Sequence, residues 1–295
     1  MRLSFVLFAV PLVSTYSLLR GPTRGDSAPG LPCIAVPRAR LIAPGQRTTL
    51  HLYDTSSLQV LRHAQSLCNG TYGQVVIDED AAAARKFRLM ATGTRIKILS
   101  SAPSTHTDKF GGSSVSVMAE VLGVGIIEPQ QVLQHEPFLT VNASDEDTVL
   151  QSCEYAASSI SEWEKELAEA ANLCESLDEV AQPQGLSPSQ SFSRGSGGWS
   201  LEKCIQGVLD ARADLRCNGM GCEVDEMENE VSLLRLSALA CTAHLPGEAR
   251  FDACELAQRG ELSVLLQYVG DALKEEGQRR LANKALTGLF GEDGK

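Results

Sequence analysis

The hydrophobic period of this chain changes once, between residues 141 and 147, and that change limits the available folds more than any other feature. Val115, Val117, Ala119 and Val121 alternate with Ser114, Ser116, Met118 and Glu120. A period of two suits a half-buried strand, because successive side chains of an extended chain point to opposite faces. Leu50-His51-Leu52, Gln74 to Ile77, Phe87 to Met90 and Ile96 to Ile98 are further strand candidates, with Pro44-Gly45, Asn69-Gly70 and Gly111-Gly112 as turn material. Leu58, Leu61, Arg62 and Gln65 at helical spacing predict one short helix over the sheet. Residues 31–146 are expected to form a small antiparallel sheet or pseudo-barrel.

From Asp147 the apolar step is three and four. Val149, Cys153, Ala156, Ile160, Trp163, Leu167, Ala170, Cys174 and Leu177 form one unbroken seam, which predicts a helix of roughly 30 residues, about 45 Å long. A second seam runs through Val224, Met227, Val231, Leu234, Ala238, Cys241 and Leu245, and a broader stripe through Leu262, Leu265, Leu266, Val269, Ala272 and Leu273. Leu201, Ile205, Val208, Leu209 and Leu215 mark a shorter helix. Residues 147–290 are therefore expected to be a helical bundle, its seams packing on one another within the chain rather than as a coiled coil between chains. Residues 182–198, QPQGLSPSQSFSRGSGG, have no periodicity and read as a flexible loop. Together the two halves predict an α+β chain, strands first and helices second.

Charge separates a third region. The chain carries 26 basic against 37 acidic residues, a net charge of -11, and this acidic balance argues against a phosphate-binding surface for nucleic acid. Yet Arg2, Arg20, Arg24, Arg38, Arg40 and Arg47 face a single acid, Asp26, before residue 48. Arg2 precedes the apolar run Leu3 to Val13, too short and too interrupted by Pro11 for a comfortable membrane span, and of signal-peptide length. Arg20 to Gly30 then has the Arg, Ser, Gly and Pro content of a transit peptide. Residues 1–30 are expected to be a targeting leader that routes the chain to a plastid through the secretory system, with secretion or ER residence as the alternative. The mature chain is expected to have no stable membrane span. Nine cysteines spread over a chain of this length suit a mostly reducing compartment better than a disulfide framework.

Motifs that carry chemistry are sparse. The Gly-Lys pair at Gly294-Lys295 ends the chain, so no phosphate-cradling G-x-x-x-x-G-K-[ST] occurs. Gly123-Val124-Gly125 lacks the third glycine of a dinucleotide site. Cys217, Cys222, Cys241 and His244 are the nearest approach to a metal set, but the first pair has non-standard spacing and Cys241 falls on an apolar seam. Glu162, Glu164, Glu166 and Glu169 flank the first seam as solvated helix charge. The expectation is no catalytic residue, no cofactor and no metal.

The order of short elements in residues 31–148 resembles the Lon amino-terminal domain, also called the Lon substrate-binding domain. The elements are Leu31-Pro32, Pro44-Gly45, Leu50 to Tyr53, Tyr72-Gly73, Ala91 to Ile96, Val121 to Ile126, Glu136-Pro137-Phe138 and the acidic Glu146-Asp147. Leu245-Pro246-Gly247 and the stripe at Leu262 to Leu266 look like that family's helical tail. The resemblance implies a strand pseudo-barrel followed by helices, and a part in capturing unfolded substrates. In the full protease the ATPase and Ser/Lys peptidase lie downstream, and these 295 residues are expected to hold neither. The resulting expectation is a stand-alone, non-catalytic substrate-binding or adaptor protein whose partner is an unfolded or partner polypeptide. Its candidate contact residues are Phe192 and Trp199, aromatics in the loop region with no core to fill. The alternatives are a hydrolase with an unrecognised nucleophile around Cys68, Ser113 or His135, and a structural subunit of a plastid complex. The sequence leaves the client and the oligomeric state open.

Overall fold

The structure, a computed structural model, describes residues 30–79, 81, 87–107, 113–145, 157–178, 199–218 and 230–290. Strands β1 (Leu31–Val36), β2 (Arg47–Leu52), β3 (Thr71–Ile77), β4 (Leu89–Thr107), β5 (Ser113–Gln134) and β6 (Leu139–Asp145) come first, with α1 (Thr55–Leu67) between β2 and β3. Helices α2 (Ala157–Asp178), α3 (Leu201–Asn218), α4 (Glu230–Cys241), α5 (Gly247–Gln258) and α6 (Leu262–Phe290) follow. The fold is α+β, as the change of period predicts. The first turns of the long seam, Val149 to Ala156, lie outside the described residues, so α2 is described over 22 residues. The leader residues 1–29, the loop 182–198 with Phe192, and Val224, Met227 and Cys222 lie outside them too.

The sheet order is β2-β5-β4-β3-β1-β6, and β5 also pairs with β6. Length makes this double use of β5 workable. Its 22 residues meet β2 through Val117 to Leu122 and β6 through Ile127 to Gln134. The expected antiparallel arrangement needs one correction, because β1 and β3 run parallel in the register Cys33 to Gly73 through Val36 to Val76. The chain between them includes α1, which packs over both strands. A crossover of that length permits parallel pairing where a tight turn would not.

A strap from Pro37 to Gln46 crosses the sheet and is tied down by buried amides. Ile42 N donates to Gln74 Oε1 at 2.9 Å, and Ala43 N donates to Gln46 Oε1 at 3.1 Å. The strap turns at Gly45, whose φ of 83° favours glycine. It then lies directly on β5: Gly45 N donates to Gly123 O at 2.9 Å and Gly123 N to Gln46 O at 3.0 Å. A Cβ at Gly123 would stand 2.2 Å from Ala43 O. The glycine of Gly123-Val124-Gly125 thus serves a close backbone crossing within a strand.

Sheet and helices share their principal core. Val36, Leu41, Ala43, Val76 and Ile126 from the first half pack with Leu167, Leu234, Phe251 and Leu266 from the second. The predicted seams bury their own members against one another, including Leu167 and Cys174 on α2, Leu234, Ala238 and Cys241 on α4, and Leu265, Val269 and Leu273 on α6. A smaller cluster joins Leu122 and Val124 of β5 to Val208 and Ala211 of α3. Among the described residues no helix is long and apolar enough to cross a membrane.

Candidate functional site

Because the seam commits one side of α2 to the core, its other flank is free to face a neighbour. That flank carries Ser161, Glu164, Lys165, Ala168 and Asn172, at three- and four-residue steps. Across from it stand Trp199, Leu201, Glu202, Ile205 and Gln206 at the start of α3, with Ser237 of α4 as floor. These residues enclose an open groove of about 660 Å³. Its chemistry is polar around one aromatic, with Glu164, Lys165 and Glu202 as its charged members. Ser237 Oγ donates to Leu233 O at 2.8 Å and lies 3.4 Å from Glu164 Oε1. Gln206 Nε2 donates to Asp210 Oδ1 at 2.7 Å. Asn172 is exposed and its amide has no hydrogen-bond partner among the described residues.

Trp199 has a core to pack against, contrary to the expectation of an aromatic with none to fill. It is half-buried against the shared core, with its ring edge-on to His244 at 4.6 Å between centroids. Its Nε1 is buried and makes no hydrogen bond of good geometry. The nearby Cys204 thiol is pushed up to about 11 by burial, against a small opposing pull from the indole. Beneath Trp199, His244 is buried and its pKa is lowered to about 4, first by burial and then by Arg280. The Glu175 carboxylate, 3.7 Å from His244 Nδ1, pulls the other way and is outweighed at that distance. Arg280 donates to His244 O at 2.6 Å, Cys174 O at 2.8 Å and Glu276 Oε1 at 2.6 Å. Burial alone would raise the Glu276 carboxyl, but hydrogen bonds from Arg279 and Arg280 hold it below its ordinary range. This network fixes α2, α6 and the turn after α4 to one another, so the groove rests on a rigid base.

The other sequence candidates do not come together. Ser113 begins β5 and His135 follows its end, so a 22-residue strand separates them. Cys68 caps α1, and burial raises its thiol, which leaves less thiolate for nucleophilic attack. His135 rests edge-on to Phe87 at 5.4 Å. Cys241 is buried with its Sγ 3.9 Å from Leu167 O, and burial raises its pKa. Among the described residues no group of three or more His, Cys, Asp or Glu could hold a metal. Sequence reasoning singled out Trp199 but missed the groove around it. The spacing of Ser161, Lys165, Ala168 and Asn172 was the available signal.

No protein-family model matches the chain, and no curated protein does. Solved structures do. The chain is similar to the N-terminal domain of Mycobacterium avium complex Lon protease, at 15% identity over 82% of this chain and 98% of that one, with a TM-score of 0.41. It is similar also to a Lon N-terminal domain protein from Xanthomonas campestris, at 15% identity over 61% of this chain and 97% of that one, with a TM-score of 0.33.

Proposed function

We propose that this chain is a non-catalytic polypeptide-binding protein that holds an extended client segment in the groove between α2 and α3 and acts as an adaptor for it. The observation that carries this reading is the lining of the groove. Amide and hydroxyl side chains of Asn172, Gln206 and Ser161 line it beside a half-buried indole, and the Asn172 amide has no partner among the described residues. Groups of this kind can donate to and accept from the peptide backbone, which every client presents whatever its sequence. The Trp199 face adds apolar contact on the order of 1 kcal/mol. The groove opens to solvent, so a client segment can reach its lining. The motif resemblance to a substrate-binding domain points the same way.

Unfolded casein incubated with the purified full chain, with and without ATP, tests the reading. Saturable binding with casein left intact is the expected result. Cleavage that persists through further purification, or no binding at all, would overturn it.

A further inference from the structure

A second groove, of about 550 Å³, shares no lining residue with the first and lies between the start of α5 and the length of α6. On α6, Val264, Tyr268, Asp271, Ala272, Glu275 and Arg279 follow one another along one stripe, and Pro246 and Ala249 form the opposite wall. From residue 264 to 279 the stripe is about 22 Å long, the span of a four-turn helix. Its first part is apolar and open, with Val264 46% exposed. Its middle is acidic. Asp271 and Glu275 are exposed, and neither has a cation within ion-pair distance among the described residues. The cations nearest in sequence are already committed: Lys274 to Glu166 at 2.5 Å, and Arg279 and Arg280 to Glu276 at 2.7 and 2.6 Å. A third acid, Asp252, accepts from the Tyr268 hydroxyl at 3.2 Å at the groove's edge, and burial together with that carboxylate pushes the phenol up to about 12.

We propose that this groove is a docking surface for a cationic, amphipathic helical segment of a partner polypeptide. The segment lays apolar side chains over Val264, Ala249 and Ala272 and sets Lys or Arg against Asp271 and Glu275. Charge complementarity selects the occupant: two neighbouring exposed carboxylates, neither in an ion pair and Asp271 only sharing the field of Lys274, sit beside an apolar trough, where they repel an acidic helix and leave a neutral one without partners. The surface shares no lining residue with the Trp199 groove, so the chain would hold a client and be held by a partner through different side chains.

The test uses the full chain and two synthetic helices roughly 15 residues long, one of leucine and lysine and one of leucine and glutamate. Binding is read by fluorescence anisotropy of the labelled helix. The lysine helix is expected to bind about tenfold or more tighter than the glutamate helix. Asp271→Lys with Glu275→Lys should remove that preference, and the milder Asp271→Asn with Glu275→Gln should weaken it, both with an unchanged thermal transition. Glu128→Lys with Glu136→Lys, an equal charge change on β5 and the turn after it, should leave it intact. Trp199→Ala should not affect it either, which separates this surface from the client groove. The proposal falls if the sheet variant loses as much affinity as the α6 variants, or if both helices bind alike. It falls also if sedimentation shows a second copy of the chain on the groove, released by the α6 substitutions.

Discussion

Gln74 stands in the middle of a strand buried along six of its seven residues, where its side chain would be costly without a partner. Its Oε1 satisfies Ile42 N of the crossing strap. Gln74→Leu keeps the size and leaves that amide N–H buried and unpaired, so urea unfolding should show a loss of about 1–3 kcal/mol. No loss would mean the strap is anchored elsewhere. His244 gives a residue-scale prediction in pH. Its pKa is about 4 in the fold against an ordinary 6.5. Below pH 6.5 the unfolded chain therefore takes up a proton that the folded chain refuses until about pH 4. Folding stability should fall across that window by about 3 kcal/mol in all. The wild type should lose this much relative to His244→Phe between pH 7 and 4. A constant difference between the two proteins would contradict the burial argument.

At the scale of elements, α1 shows how local signals fix a boundary. Asp54 Oδ1 accepts from Ser57 N at 2.8 Å, a cap on the first turn. Asp54→Ala should lower the thermal midpoint by an amount equivalent to about 1 kcal/mol. An unchanged midpoint would show that packing of Val60, Leu61 and Ala64 alone sets the helix. Much of this level was legible in the sequence. The described parts of the seams on α2, α4 and α6 are helical as the spacing predicts, because burial of Leu167, Leu234 and Leu265 repeats at helical spacing. The alternation of Val117, Ala119 and Val121 likewise gave β5. The parallel pairing of β1 with β3 was not legible, because strand alternation is the same in either direction and only the path of the connection decides. Nor did the alternation at residues 115–121 disclose that β5 runs to Gln134, since its second half meets new partners.

At the scale of the whole molecule, one core spanning sheet and helices holds both grooves in fixed places. Arg280 ties together the backbone of α2, the turn after α4 and Glu276. The groove between α2 and α3 was only half legible for the same reason that its position is precise: it is made by packing. Trp199 stood out as an aromatic in a polar stretch, and the polar flank of α2 could be traced along its seam. Their meeting depends on α3 lying across from α2, which no local pattern encodes. The claim that this groove binds polypeptide is tested most directly by titrating labelled unfolded casein with the intact chain and two groove variants. Asn172→Arg places a bulky charge at an exposed rim position, and Trp199→Ala removes the aromatic face. Both should weaken binding about tenfold, near 1.4 kcal/mol, and Asn172→Arg should do so without moving the thermal transition. Casein binding equal to that of the intact chain in both variants would contradict the account.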